Sequence, residues 1–150
     1  MSKPIWVLDT NVVLDCLHFM NPAARPILHA LETGQIECWA SHATLEELRR
    51  VLGYPALGLD SARQTAILAR YRARVRCVEP AHAHRLPRCK DVDDQKFLQL
   101  AAGGASMLVS KDRALLKLAR WRELGFRILP PAAAVAEWVG TPTVSSRGEP

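Results

Sequence analysis

Five short apolar runs recur along the chain, at 5–8, 36–40, 75–78, 107–110 and 126–129, each separated from the next by a helix-length pattern. Runs of four or five apolar residues fit buried strands, and the intervening 3.6-residue spacing fits helices. The spacing predicts helices over 11–18, 22–32 (closed by Gly34), 61–72, 91–102, 113–124 and 132–139. A further helix starts at Ser41 or Thr44 and ends at Gly53, with 53–59 and 82–90 as loops. Thr44 with Glu47, and Ser61 with Gln64, have the spacing of capping boxes. Strands alternating this densely with helices make an α/β domain, a three-layer α/β/α sandwich around a mostly parallel sheet of about five strands. Residues 1–140 are expected to form that single domain. Residues 141–150, rich in Thr, Pro, Ser and Gly, are expected to be a disordered tail. No internal repeat is visible.

A chain of 150 residues, 49% of them hydrophobic, can bury a sizeable core without help from disulfides or structural metal. No apolar run approaches the roughly 20 residues of a membrane span. The first apolar stretch is cut by Asp9, unlike a signal peptide, so a cytoplasmic protein is expected. Cys16, Cys38, Cys77 and Cys89 contain no C-x-x-C pair and read as reduced, mostly buried thiols. His82, His84 and Cys89 lack a fourth ligand at zinc spacing. Twenty basic against 15 acidic residues favour a polyanionic partner.

The positions of the acids say more than their number. In a parallel sheet, the strand carboxyl ends and the helix beginnings share one edge, where sites gather. Asp9 ends the first strand, and Asp112 follows the fourth. Asp91, Asp93 and Asp94 open the helix before the fourth strand, while Glu46 and Glu47 begin the helix after the second. Acids also favour helix starts through capping and the macrodipole. Four such groups on one edge, however, repel one another unless a cation neutralises them. Oxygen ligands without matched Cys or His are the chemistry of Mg²⁺ or Mn²⁺. Other phosphate chemistries lack their parts. There is no glycine-rich phosphate loop. The second Asp of a haloacid-dehalogenase phosphatase is Asn11 here, and the Lys expected of a receiver domain is replaced by Pro130-Pro131.

Four stretches, in order, resemble the motifs of the PIN domain family, the small metal-dependent nuclease fold of many bacterial toxin–antitoxin toxins (VapC-like). They are Val7-Leu8-Asp9-Thr10-Asn11-Val12-Val13-Leu14, Ser41 through Leu48, Cys89 through Ala101, and Leu108-Val109-Ser110-Lys111-Asp112 with Ala114-Leu115-Leu116. The resemblance runs from about residue 5 to 138. It implies that Asp9, Glu47, Asp94 and Asp112 hold Mg²⁺ or Mn²⁺ for hydrolysis of an RNA phosphodiester. Water would attack in line and leave 5′-phosphate and 3′-hydroxyl ends. Asp91 is a possible fifth carboxylate. Thr10, Asn11 and Ser110 would support the acids or position substrate. Many relatives have Thr-Gly-Asp or Thr-Asn-Asp where this chain has Ser110-Lys111-Asp112, and the acid often found two residues later is Ala114. Glu46 competes with Glu47, since neighbours on a helix lie about 100° apart. Asp15, one turn after Asn11, could face the site or solvent.

Arg70, Arg72, Arg74 and Arg76 form the densest basic segment, with Arg49, Arg50 and Arg63 elsewhere. They fit a solvated face, a phosphate-tracking surface or a contact for an acidic antitoxin. Lys111, beside Asp112, could touch a phosphate. The four tryptophans, Trp6, Trp39, Trp121 and Trp138, are placed for core or interface rather than base stacking. The expected partners are RNA and a cognate antitoxin, with a homodimer suggested by the resemblance and no membrane. A catalytically silent module binding RNA or protein, and a structure-specific DNA nuclease, are the alternatives.

Overall fold

All five expected strands form, and all run parallel, in the order β3-β2-β1-β4-β5. They are β1 (Ile5–Leu8), β2 (Glu37–Ala40), β3 (Val75–Cys77), β4 (Met107–Val109) and β5 (Arg127–Leu129). The computed structural model describes residues 3–80, 86–121 and 123–140. The expected tail at 141–150, and the start of the 82–90 loop with His82 and His84, lie outside the described residues. The helices are α1 (Thr10–Leu17), α2 (Arg25–Glu32), α3 (His42–Leu52), α4 (Ser61–Arg72), α5 (Gln95–Ala102), α6 (Arg113–Leu116) and α7 (Pro131–Gly140).

Successive strand residues point to opposite faces of a sheet, and the core divides accordingly. Trp6, Leu8, Cys38, Ala40, Met107 and Val109 pack with α1, α2, α3 and α4 on one face. Val7, Leu108 and Ile128 pack with Phe97, Leu98, Leu100, Ala101 and Leu115 on the other. That division makes the expected three layers. Trp6 is buried edge-on against Trp138, with ring centres 5.8 Å apart. Cys16, Cys38 and Cys89 are buried free thiols, while Cys77 on edge strand β3 is exposed. Gly104 holds φ +147°, and a Cβ there would meet Trp39 Cη2 at 2.9 Å, so the turn into β4 requires glycine. No helix among the described residues is long and apolar enough to cross a membrane.

Four local expectations depart from the structure, beginning with the Thr44–Glu47 box. Ser41, not Thr44, caps α3: its hydroxyl accepts from Thr44 N at 3.2 Å, and Thr44 Oγ1 accepts from Ser41 N at 2.9 Å. This reciprocal box frees Glu47 from capping. The cap of α4 is Asp60, a carboxylate one residue before Ser61, which accepts from Arg63 N at 2.8 Å. Gln64 turns to the Leu59 carbonyl instead. The helix expected over 113–124 is α only to Leu116 and continues as a 3-10 turn over Lys117–Arg120. Leu115 is the only fully buried residue of α6, too narrow an apolar stripe to hold further α turns. The 91–102 helix likewise starts with a 3-10 turn, Val92–Asp94, before α5.

Candidate active site

The sheet order reverses at β1, which has β2 on one side and β4 on the other. Open α/β sheets bind ligands outside the strand carboxyl ends at such a point. Asp9 directly follows β1, and Ser110 directly follows β4. A cleft of about 590 Å³ opens there, and Asp9, Glu47, Asp91, Asp94 and Asp112 all line it.

Asp9 is almost fully buried. One carboxylate oxygen accepts from Val12 N at 3.1 Å, capping α1, and the other accepts the Ser110 hydroxyl. Burial pushes the Asp9 carboxyl up to about 6, against the lowering effect of the Ser110 and Val12 bonds, and the charge of Asp112 raises it further. The fully buried Ser110 hydroxyl also accepts from Asp112 N at 2.9 Å, which ties the loop after β4 to the end of β1. Asp94 is pushed up to about 8, first by burial, then by a side-chain hydrogen bond with Asp112 and the charges of Asp112, Asp91 and Asp9. Asp112 also caps α6, and Asp91 caps the turn that leads into α5.

Glu47 faces the cleft, whereas Glu46 pairs with Arg49 at the surface, which holds the Glu46 carboxyl below its usual range. Of the two neighbouring acids, Glu47 alone lines the cleft. Thr10 Oγ1 donates to Glu47 Oε2 at 2.5 Å. Asn11 is exposed on the cleft wall. Asp15 faces neither the open site nor solvent. It is buried, and its Oδ2 lies 2.6 Å from the ammonium of Lys111, which lines the cleft.

The arginine segment stands apart from these groups. Arg70 makes a two-pronged contact with Glu32, at 2.6 and 2.9 Å, and Arg76 lies 3.6 Å from Glu37. None of Arg70, Arg72, Arg74 and Arg76 lines the cleft. Arg70 and Arg72 end α4 and Arg74 precedes β3, so these three lie toward the amino edge of the sheet, opposite the acids. Of the scattered arginines, Arg50 is exposed on the cleft wall. Two features escaped the sequence reading: Phe19 and Tyr54 are half-exposed aromatic residues of the cleft, and Lys96 Nζ lies 2.5 Å from Glu47 Oε1. Lys96 carried a usable signal, because a cation in the first turn of a helix opposes the macrodipole.

Among the described residues, no three His, Cys, Asp or Glu side chains stand as a finished metal cage. The fit to a divalent ion is one of donor chemistry. Asp9, Asp94 and Asp112 offer only oxygen, burial raises the carboxyls of Asp9 and Asp94, and among the described residues no basic side chain is paired with any of the three. Hard divalent cations suit such a set.

The PIN domain family profile matches residues 6–114. No curated protein sequence matches the chain. Among solved structures, PAE2754 from Pyrobaculum aerophilum superposes with a TM-score of 0.60 at 17% identity, over 91% of this chain and 90% of that one. A chain of VapBC2 from Rickettsia felis, solved bound to a DNA fragment from the promoter, gives 0.58 at 12% identity, over 83% and 96%. At these identities the likeness is one of fold. The profile match covers most of the chain and contains the whole acidic cluster, so the chain belongs to the PIN domain family, whose members are generally nucleases.

Proposed function

We propose that this chain is a metal-dependent endoribonuclease, the toxin of a toxin–antitoxin pair. The observation that carries the reading is the grouping of Asp9, Asp94 and Asp112 at the reversal point of the sheet, where burial first and the acidic neighbours second push the Asp94 carboxyl up. Like charges gathered this way are stable as carboxylates only with a cation among them. Mg²⁺ or Mn²⁺, when bound, supplies the positive charge that offsets both these carboxylates and an incoming phosphodiester.

The chain's own groups do the rest. Ser110 and the amide of Val12 fix the Asp9 carboxylate, so its geometry is set before substrate arrives. Ser110 also fixes the start of the Asp112 loop. Arg50, on the cleft wall and in no salt bridge among the described residues, is available to a substrate phosphate, whereas Lys111 on the same wall is already paired with Asp15. The arginines at the opposite edge leave the cleft free and suit a separate contact, such as an acidic antitoxin segment. The likeness to a VapBC2 chain supports a protein partner.

Cleavage of single-stranded RNA with Mg²⁺ or Mn²⁺, for wild type, Asp9→Asn and Asp94→Asn, tests the reading. Activity in wild type and its loss in both variants is expected. Equal activity in all three removes the mechanism. Cleavage of structured DNA in preference to RNA would replace the substrate, and RNA binding without turnover would make the chain a binding module.

A further inference from the structure

Lys96 stands where helix electrostatics disfavour it. It is the second residue of α5, in the first turn, where backbone N–H groups and the macrodipole repel a cation. Its side chain is nonetheless largely buried, with 17% exposed, and its ammonium is tethered at two points. Nζ lies 2.5 Å from Glu47 Oε1 and donates to the Asp93 carbonyl at 2.5 Å. The other oxygen of Glu47 accepts the Thr10 hydroxyl, also at 2.5 Å. Both Glu47 oxygens are therefore engaged, and a positive charge already rests against them.

The acids of the cleft divide into two kinds. Asp9, Asp94 and Asp112 are drawn together through Ser110 and through the contact of Asp94 with Asp112, and among the described residues no basic side chain is paired to them. Glu47 is compensated by Lys96. Centres that cleave phosphodiesters with two metals hold their ions about 3.5–4 Å apart. A second ion at Glu47 would have to break the Thr10 bond and expel a doubly tethered ammonium. Without that expulsion, it would sit against a like charge.

We propose that Lys96 takes the place of a second cation: the cleft binds one divalent ion, on Asp9, Asp94 and Asp112, and Lys96 is the positioning residue that fixes Glu47 beside it. This rests on the metal-dependent reading above. An ammonium differs from a second ion in being permanent and independent of metal supply, so one side of the cleft keeps its charge balance in the metal-free protein.

Titration with Mn²⁺, reading free ion by electron paramagnetic resonance, counts the sites without any need for activity. About one Mn²⁺ per chain is expected in wild type and in Lys96→Arg, and about two in Lys96→Met, where Glu47 is released. Glu47→Gln is expected to keep its single ion, whereas Asp94→Asn loses at least about tenfold in affinity. Near-ultraviolet circular dichroism checks that Lys96→Met is folded. If it is not, the wild-type count and Glu47→Gln still decide. Two ions in wild type, an unchanged single ion in a folded Lys96→Met, or loss of the ion in Glu47→Gln would overturn the role of Lys96 and leave metal dependence standing. No Mn²⁺ bound by wild type at millimolar concentration would overturn both.

Discussion

The carboxyls of Asp94 and Asp112 meet in the cleft, although one opens the way into α5 and the other caps α6. Burial first, then Asp112, Asp91 and Asp9, push the Asp94 carboxyl up to about 8, so Asp94 favours its neutral form in the metal-free cleft. A cation entering the site must displace the Asp94 proton. Between pH 6 and 8, Mn²⁺ affinity should therefore rise about tenfold per pH unit and level off above 8. Calorimetry at pH 7 in buffers of different ionisation enthalpy should show about one proton released per ion. A flat affinity over this range would remove Asp94 from the ligand set.

The same pressure acts on folding of the metal-free protein. An acid whose folded pKa is raised favours its neutral form in the fold. Its contribution is complete below the unfolded value and is lost as pH rises through the folded one. For Asp9 that window runs from 3.8 to about 6, and for Asp94 from 3.8 to about 8. With metal chelated, the urea midpoint should fall as pH rises from 5 to 8. Asp94→Asn should flatten the fall between pH 6 and 8, while Asp9→Asn should leave most of that upper part intact. A midpoint that climbs over this interval would contradict both assignments.

Ser110 joins the two halves of the site. Its hydroxyl donates to Asp9 and accepts from Asp112 N while itself fully buried. Ser110→Ala leaves a buried carboxylate oxygen and a backbone N–H without their partner, a loss of about 1–3 kcal/mol. Supporting groups of this kind typically change metal affinity 10–100-fold. The expected result is a lower urea midpoint and Mn²⁺ affinity reduced about tenfold or more, with Ser110→Thr recovering part of each. Unchanged metal affinity in Ser110→Ala would show that Asp9 needs no such anchor.

Much of this was legible in the sequence. Five apolar runs with helices between them specify a parallel three-layer sheet, because every strand must be covered on both faces. Asp9, Asp94 and Asp112 were readable because their strand and helix ends are fixed by local pattern. The choice of Glu47 over Glu46 was not, since it depends on where α3 starts. The Ser41–Thr44 box sets that start, and the competing Thr44–Glu47 spacing hid it. The Lys96–Glu47 contact and the Lys111–Asp15 contact join residues distant in sequence and leave no periodic trace. The readings of the arginine segment stayed open for a related reason: density along the chain does not reveal which edge of the sheet the residues occupy.

That last distinction separates the basic groups by function. Arg50 lines the cleft, is exposed and forms no salt bridge among the described residues, so a phosphate can approach it without breaking an existing pair. Arg72 and Arg74 are exposed at the opposite edge, outside the cleft. Each lost phosphate contact should lower the slope of log affinity against log salt by about one. Arg50→Ala is therefore expected to weaken RNA binding and reduce the salt slope by about one, across sequences alike. The double variant Arg72→Ala with Arg74→Ala should leave both the RNA slope and cleavage where they were. Fluorescence anisotropy in a catalytically blocked Asp94→Asn background, titrated at several salt concentrations, measures the slopes, and RNA cleavage with Asp94 intact measures activity. If the double variant shifts the slope and Arg50→Ala does not, RNA runs over the amino edge of the sheet rather than across the acidic cleft.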